Sequence, residues 1–529
     1  MSGMLTGMRL SVRWLCPLFL GVLWCGLSRA VADPQEIVVS PADDLEAALE
    51  MVPEGGRIVL QAGIHRPRGA LRLERAGVTL AGEPGAEVHV PEDFEADSLL
   101  TVRADGVRIT GLVLDGGFAS SRAIRSEKTT RDLRIEKCEV RFWGKHGIDL
   151  DGAEQLVLNC HIHDCLSKAE GIRTDAHGVV TLHANGLRIE GCRISNCSGD
   201  SVQADRGTWQ DVEIVDCDMS LEPLVKSMGG FAEGDLVGEN AFDSKRESSL
   251  PRGKVLIEKC RMWGFDGSVQ QGNWAALNLK ENVAVTVRGC TVERSQIGAR
   301  FAAVRRGSPL IVQMEDCNFS RCDTALRFED MREGSEALTP DLAVEDCRFE
   351  DCKLHVMFVN YKRPAGQGSW QPPKGVHIRH CLFDPRIRVG LSTGETRLLQ
   401  EAGRQLIKLG ENQEQDAPRR GTGSSDKTTP ETTDTNTSTG DRRKTAEAAN
   451  DSGPVCPSDD DHRGKVYRRA GGKLHCRCPV CGAVWTVPDK PAKPSPTTPT
   501  GTPAPATDKT APGTKPAPRG GKTPAPASK

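Results

Sequence analysis

Three aspartates, Asp151, Asp175 and Asp205, recur at one place in successive copies of a repeating segment, and two lysines, Lys245 and Lys280, then take over that place. The segments are Ile148-Asp149-Leu150-Asp151, Ile172-Arg173-Thr174-Asp175, Val202-Gln203-Ala204-Asp205, Phe242-Asp243-Ser244-Lys245, Leu277-Asn278-Leu279-Lys280, Ala299-Arg300-Phe301-Ala302 and Leu326-Arg327-Phe328-Glu329. Their first and third members are mainly apolar or small, as for a strand with one buried face, so the second and fourth point outward. Strands stacked about 4.8 Å apart would set neighbouring carboxylates to repel by roughly 3–4 kcal/mol at an effective dielectric of 20, before salt screening. A raised carboxyl pKa, the neighbouring Arg173, or an oxygen-liganded cation such as Ca²⁺ would offset this, with Asp200 and Asp243 as further ligands.

Lys245 beside the second cation Lys280 has the makings of a general base, although Asp205 and Asp243 act in the opposite direction, and Arg300 can orient an anionic group. Removal of the C5 proton of a uronate by β-elimination needs such a set: a cation or arginine on the sugar carboxylate and a base. Glycoside hydrolysis would instead need two carboxyls flanking one bond at about 5 Å or 6.5–9.5 Å, and the adjacent lysines favour elimination. Charged columns also serve simply to solvate a sheet and block its lateral pairing. His146 and His177 sit beside the aspartate segments, and Trp143, Trp209, Trp263 and Trp274 are placed either to stack on sugar rings or to pack turns.

A second cluster lies near the C-terminus. Cys478 and Cys481 form a C-x₂-C knuckle, and with Cys456 and Cys476 they make a four-thiolate Zn²⁺ set resembling half of a zinc ribbon extended by two further thiols. Two disulfides are the alternative staple for so short an island.

The element that must position the first cluster is a repeat. Leu187-Arg188-Ile189-Glu190-Gly191-Cys192-Arg193-Ile194-Ser195-Asn196-Cys197 has relatives beginning at Leu133, Leu156, Val212, Val255, Val285, Val312 and Leu342. Their leading cysteines, Cys138, Cys160, Cys192, Cys217, Cys260, Cys290, Cys317, Cys347 and Cys381, recur at unequal intervals, which means a fixed rung with loops of varied length. The predicted fold is all-β, a right-handed parallel β-helix solenoid with the cysteines in one interior column. A second set lies five residues on at Cys165, Cys197, Cys322 and Cys352, making thirteen in the domain. An odd number in an apolar column favours packed, unpaired thiols over disulfides.

Asp43 to Leu60 reads as a short amphipathic helix and a strand that cap the first open rung. Continuing through Gly63, this stretch resembles the N-terminal cap of the pectate-lyase-like β-helix superfamily, and the repeats extend that resemblance over residues 36 to about 395. Asn240-Ala241-Phe242-Asp243-Ser244-Lys245, downstream of acidic strands, resembles the catalytic region of the pectate lyases of polysaccharide lyase family nine. That resemblance implies Ca²⁺ on Asp151, Asp175 and Asp205 and Lys245 as base; the family's run of consecutive aspartates is absent.

Around this domain, residues 1–32 read as a cleaved signal peptide, with Arg9 and Arg13 before an apolar run and Ala30-Val31-Ala32 before Asp33. The expected order is then the β-helix domain at 33–400, a polar disordered linker at 401–453, the cysteine island at 454–488 and a disordered Pro/Thr/Ala/Lys-rich tail at 489–529. A net charge of −3 from 69 basic and 72 acidic residues gives no excess for nucleic acid, and no segment beyond the leader could span a bilayer. The expectation is a secreted, periplasmic or cell-surface protein that cleaves an acidic polysaccharide with Ca²⁺, or a non-catalytic solenoid that binds glycans or surface components.

Overall fold

The computed structural model describes residues 35–414, apart from 168–174, 270–273, 281, 303–308, 330–339, 360–374, 385–386, 393–395 and 398–411, together with strands between 455 and 488. The expected leader, most of the linker and the tail lie outside the described residues.

Each coil contributes three strands. In the coil of Cys192 these are Asn185–Glu190 in the first sheet, Arg193–Ser195 in the second and Val202–Ala204 in the third. Among the described residues each sheet holds thirteen strands, and neighbouring coils pair parallel and in register. The exception is Thr396–Arg397, which runs antiparallel to Val389–Ser392. This is a right-handed parallel β-helix.

The repeat that reads as one alternating run from Leu187 to Cys197 is two strands meeting at a corner. The residue before each leading cysteine adopts a left-handed backbone: Lys137 (φ 53°), Asn159 (53°), Gly191 (62°), Asp216 (51°), Lys259 (54°), Gly289 (60°), Asp316 (54°), Asp346 (53°) and His380 (52°). One such residue redirects the chain, so the cysteine that follows turns inward at the corner. A second corner repeats the device with Asp164, Asn196, Arg321 and Asp351, each followed by a cysteine of the second set.

All thirteen domain cysteines are buried and unpaired. Each leading thiol donates to a first-sheet carbonyl one coil back, Cys160 to Ile135, Cys192 to Val157 and Cys217 to Ile189, all at 3.6 Å. The thiols thus behave as small apolar side chains with a weak donor satisfied along the axis. Toward the C-terminal end phenylalanines stack in the same way, Phe319 on Phe349 on Phe383 at 5.3 and 4.8 Å, and Phe301 on Phe328 on Phe358 at 4.7 and 5.3 Å.

At the N-terminal end the expected cap is present. Asp44 accepts from the Ala47 amide at 3.0 Å and starts helix α1, Leu45–Met51, which buries Leu45, Ala48 and Leu49. The domain runs past the expected boundary at 400, because Gln413–Glu414 pairs with Leu382–Phe383.

The residues described between 455 and 488 belong to a second unit. It contains an antiparallel sheet of Lys465–Ala470, Lys473–Arg477 and Val484–Pro488, in which Cys476 lies opposite Val466 and Trp485. Cys456 lies on the short strand Val455–Cys456. Cys478 and Cys481 lie outside the described residues. Among the described residues no helix is long and apolar enough to cross a membrane.

Candidate functional site

The third sheet carries the polar strip. Its register runs Arg125, Asp149, Val180, Gln203, Asp243, Asn278, Arg300, Arg327 from coil to coil, as expected except in one coil. There the strand is His177–Thr181 and not the expected Ile172–Asp175. Val179 then faces inward between Ile148 and Val202, in the place expected of Ile172, and Thr181 takes the place expected of Thr174. Asp175 therefore precedes the strand and leaves the column with Asp151 and Asp205, while Arg173 lies outside the described residues.

The stack of three repelling aspartates does not form, and each carboxylate of the strip is answered individually. Asp151 Oδ1 accepts from the amides of Leu182 and His183, both at 3.0 Å. Asp200, completely buried, accepts from Asn240 Nδ2 and Gln203 Nε2, each at 2.6 Å. Burial raises its pKa, against Asn240, Lys245 and Lys280. Asp243, also buried, takes Lys280 Nζ on both oxygens at 2.6 and 2.8 Å, and Lys245 Nζ at 3.3 Å. Burial and the nearby Asp200 push the Asp243 pKa upward.

Lys245 reaches Asp205 at 3.6 Å as well as Asp243. Burial opposes its charge, but Asp243, Asp200 and Asp205 outweigh that and hold its pKa above the ordinary lysine value. The lowered pKa wanted of a general base is absent in this state. Arg300 is likewise committed, to Asn278 Oδ1 at 3.0 Å and Glu329 Oε2 at 2.5 Å, with Arg327 Nε 2.6 Å from the other oxygen of Glu329.

Do these residues fit Ca²⁺? The ion needs six to eight oxygens converging on one centre. Among the described residues Asp151, Asp175, Asp205, Asp200 and Asp243 do not bring three ligand oxygens together, and the Lys245 ammonium bridges Asp205 and Asp243 while Lys280 holds Asp243. The donor set does not fit, and no step below passes through calcium.

One part of the strip was not legible in the sequence. Arg122, Arg125 and Lys145 converge on Asp97, Arg125 at 2.8 Å and Lys145 at 2.9 Å, and Arg122 also holds Asp149 at 2.6 Å. Burial pushes Asp149 up to about 6, despite Arg122. Asp97 is held down to about 2, Lys145 and Arg122 prevailing over its partial burial. The signal for this part was Arg125 at the column position of Asp149, one coil before the alignment began.

The histidines are strand residues. His146 and His177 stack at 5.1 Å, and His177 Nδ1 accepts from the Asp200 amide at 2.8 Å. That nitrogen also lies 3.5 Å from Asp200 Oδ2, but accepting from an amide leaves it no proton to share, and burial pushes His177 down to about 4. Trp143 and Trp209 are fully buried, their indoles donating to the carbonyls of Leu114 and Lys245, so neither can stack on a sugar. Trp263 belongs to the second sheet, with Arg261 and Arg294 over its ring.

Residues 102–220 match the family model of the right handed beta helix region. No curated protein matches the chain. Among solved structures it is similar to the pectate lyase Pel9A, at 15% identity and a TM-score of 0.43 over 56% of this chain and 78% of that one. It is also similar to an endo-xylogalacturonan hydrolase from Aspergillus tubingensis, at 11% identity and a TM-score of 0.42 over 65% and 98%. A third is an alginate lyase from Paenibacillus sp. str. FPU-7, at 13% identity and a TM-score of 0.35 over 61% and 99%. With the matched region continued by the same coil on both sides, the chain carries a right-handed parallel β-helix, the fold that its resemblance to the pectate-lyase-like superfamily implied.

Proposed function

We propose that the coil domain binds an acidic polysaccharide along the third sheet, with Lys245 as the cation that meets a sugar carboxylate. The observation that carries this reading is the unequal commitment of the strip's cations. Lys280 and Arg300 are nearly buried and held at hydrogen-bond distance by Asp243, Asn278 and Glu329. The Lys245 side chain is 29% exposed, beside an Asp205 that is 35% exposed, and its two ion pairs are longer. A carboxylate from solution can exchange for Asp205 with little desolvation, while the buried pairs keep the surface rigid.

Elimination is the second reading, favoured by the adjacency of Lys245 and Lys280 on neighbouring coils. A protonated Lys245 does no more than neutralise the sugar carboxylate and so acidify the C5 proton; elimination requires Lys245 first to give up its own proton, so that the neutral amine takes the C5 proton as the leaving oxygen departs. Binding of the full chain to polygalacturonate, alginate and a neutral glucan, followed in the same mixtures by ultraviolet absorbance of unsaturated products, tests both. Retention of the uronate polymers alone, lost in Lys245→Ala and kept in Lys245→Arg, supports binding. Equal retention of the neutral glucan, or an unaffected Lys245→Ala, overturns it. Unsaturated product that Lys245→Ala and Lys245→Arg both abolish would make Lys245 the base.

A further inference from the structure

We propose that Glu139, His161 and His163 form a binding site for a borderline divalent metal, Zn²⁺ in particular, on the outer face of the second sheet. The register places them. Glu139–Arg141 and His161–His163 are parallel neighbours with Glu139 opposite His161 and Arg141 opposite His163, so residues two apart on each strand share the outward face. One ligand atom from each of Glu139, His161 and His163 lies within 4.8 Å of the other two, the only such group among the described residues. Two imidazoles and one carboxylate suit Zn²⁺ and leave a fourth position open, whereas Ca²⁺ would want more oxygens.

The surroundings are arranged as a metal ligand requires. His163 Nδ1 lies 2.7 Å from Asp164 Oδ2, and donation to that carboxylate fixes the tautomer with a lone pair on Nε2. Nε2 then faces Glu139 Oε1 at 3.3 Å. A lone pair opposed to a carboxylate oxygen is unfavourable until a cation, or a second proton, comes between them. Asp164 is itself nearly buried and set in the left-handed corner of its coil. His161 stacks on His163 with ring centroids 4.1 Å apart, and its nitrogens have no hydrogen-bond partner among the described residues.

Charge favours the same occupant. Arg141 is shared among Glu87, Asp115 and Glu139 at 3.0, 2.8 and 2.8 Å, and Asp164 adds a fourth carboxylate against that one guanidinium. Arg193, opposite His161 on the next coil, is turned to Glu222 at 3.0 Å. The edge of His163 against Phe142, 5.9 Å between centroids, walls one side.

Zinc titration of the metal-free full chain by calorimetry tests the proposal, with Co²⁺ as a spectroscopic substitute to separate this site from the C-terminal cysteines. The wild type should take up one equivalent that produces cobalt ligand-field bands without thiolate charge-transfer absorption. His161→Ala and His163→Gln should each lose that equivalent, and Asp164→Asn should weaken it by about 10–100-fold. Glu139→Gln, a near-isosteric change on a part-exposed side chain, guards against a folding defect, and its far-ultraviolet circular dichroism without metal should match the wild type. An unchanged zinc stoichiometry and cobalt spectrum in Glu139→Gln, His161→Ala and His163→Gln would overturn the assignment.

Discussion

Asp243 and Lys245 are two residues apart, yet the structure gives them opposite roles, and their substitution should separate these roles. Asp243 is 2% exposed and neutralises Lys280, so Asp243→Asn strands a nearly buried ammonium and should cost about 3 kcal/mol in urea unfolding. Lys245→Ala removes a part-exposed partner and should cost under about 1 kcal/mol. Equal losses would mean that the strip is structural throughout. His355, fully buried, gives a pH prediction: its Nδ1 accepts from the Arg388 amide at 3.0 Å, and burial pushes its pKa down to about 4. The unfolded imidazole takes its proton near 6.5 and the folded one refuses it. Its contribution is therefore complete above about pH 6.5 and lost as the pH falls toward 4, by on the order of 3 kcal/mol. Asp149, raised to about 6, contributes in the reverse sense over the same range. The check is therefore the difference in stability between wild type and His355→Asn, which should shrink on acidification from pH 7 to 4. At this scale the sequence was partly legible: Asp243, Lys245, Lys280 and Arg300 stand together as their spacing implied. Of the answering groups, Glu329 stands in the same repeating segments, whereas Asn240 and Asp97 precede their strands, where alternation cannot report them.

At the scale of strands and corners, the alternation of Ile189, Ile194 and their equivalents was enough to reveal the rung, because inward apolar residues recur wherever a coil closes on its core. The corners were marked in most coils by Asn, Asp or Gly before the cysteine, but the alternation runs straight through them, and Lys137 and Lys259, which are not turn formers, hold φ of 53° and 54°. The ladders on either side impose that conformation at the expense of local preference. Gly289 shows the preference unopposed: a Cβ there would meet only Lys259 Cγ, at 3.8 Å, so its φ of 60° rather than crowding sets the cost of substitution. Gly289→Val should destabilise by about 1–2 kcal/mol, and Lys259→Gly one coil earlier should stabilise slightly, both read from urea midpoints. No loss in Gly289→Val would remove the left-handed corner as the element that fixes the rung. The misplaced strand at 172–175 was hidden in another way: Gly171-Ile172-Arg173-Thr174-Asp175 repeats the pattern of Gly147-Ile148-Asp149-Leu150-Asp151 closely, yet it is His177–Thr181 that pairs with both neighbouring coils.

Over the whole coil domain each rung packs mainly on its neighbours, with a few ion pairs such as Arg141–Glu87 reaching one coil further, so stability is largely a sum of local interfaces and one end can open without the other. The fold was legible for that reason, since one well-read rung implies all of them. Its C-terminal limit was not, because Gln413–Glu414 is too short to show any period. The thirteen buried thiols provide a probe in every coil from that of Cys138 to that of Cys381. In native buffer none should react with an alkylating agent, and with rising urea they should become reactive in groups of adjacent coils. Phe349 tests the locality, because it is stacked between Phe319 and Phe383 and completely buried. Phe349→Ala removes two ring contacts and leaves a cavity, a loss of about 3–5 kcal/mol. Pulse alkylation read by mass spectrometry should show Cys317, Cys347 and Cys381 exposed at lower urea in the variant, with Cys192 and Cys217 unchanged. If all thirteen shift together, the coils form one cooperative unit, and a ligand bound on the strip would stabilise the N-terminal cap as strongly as the coils it touches.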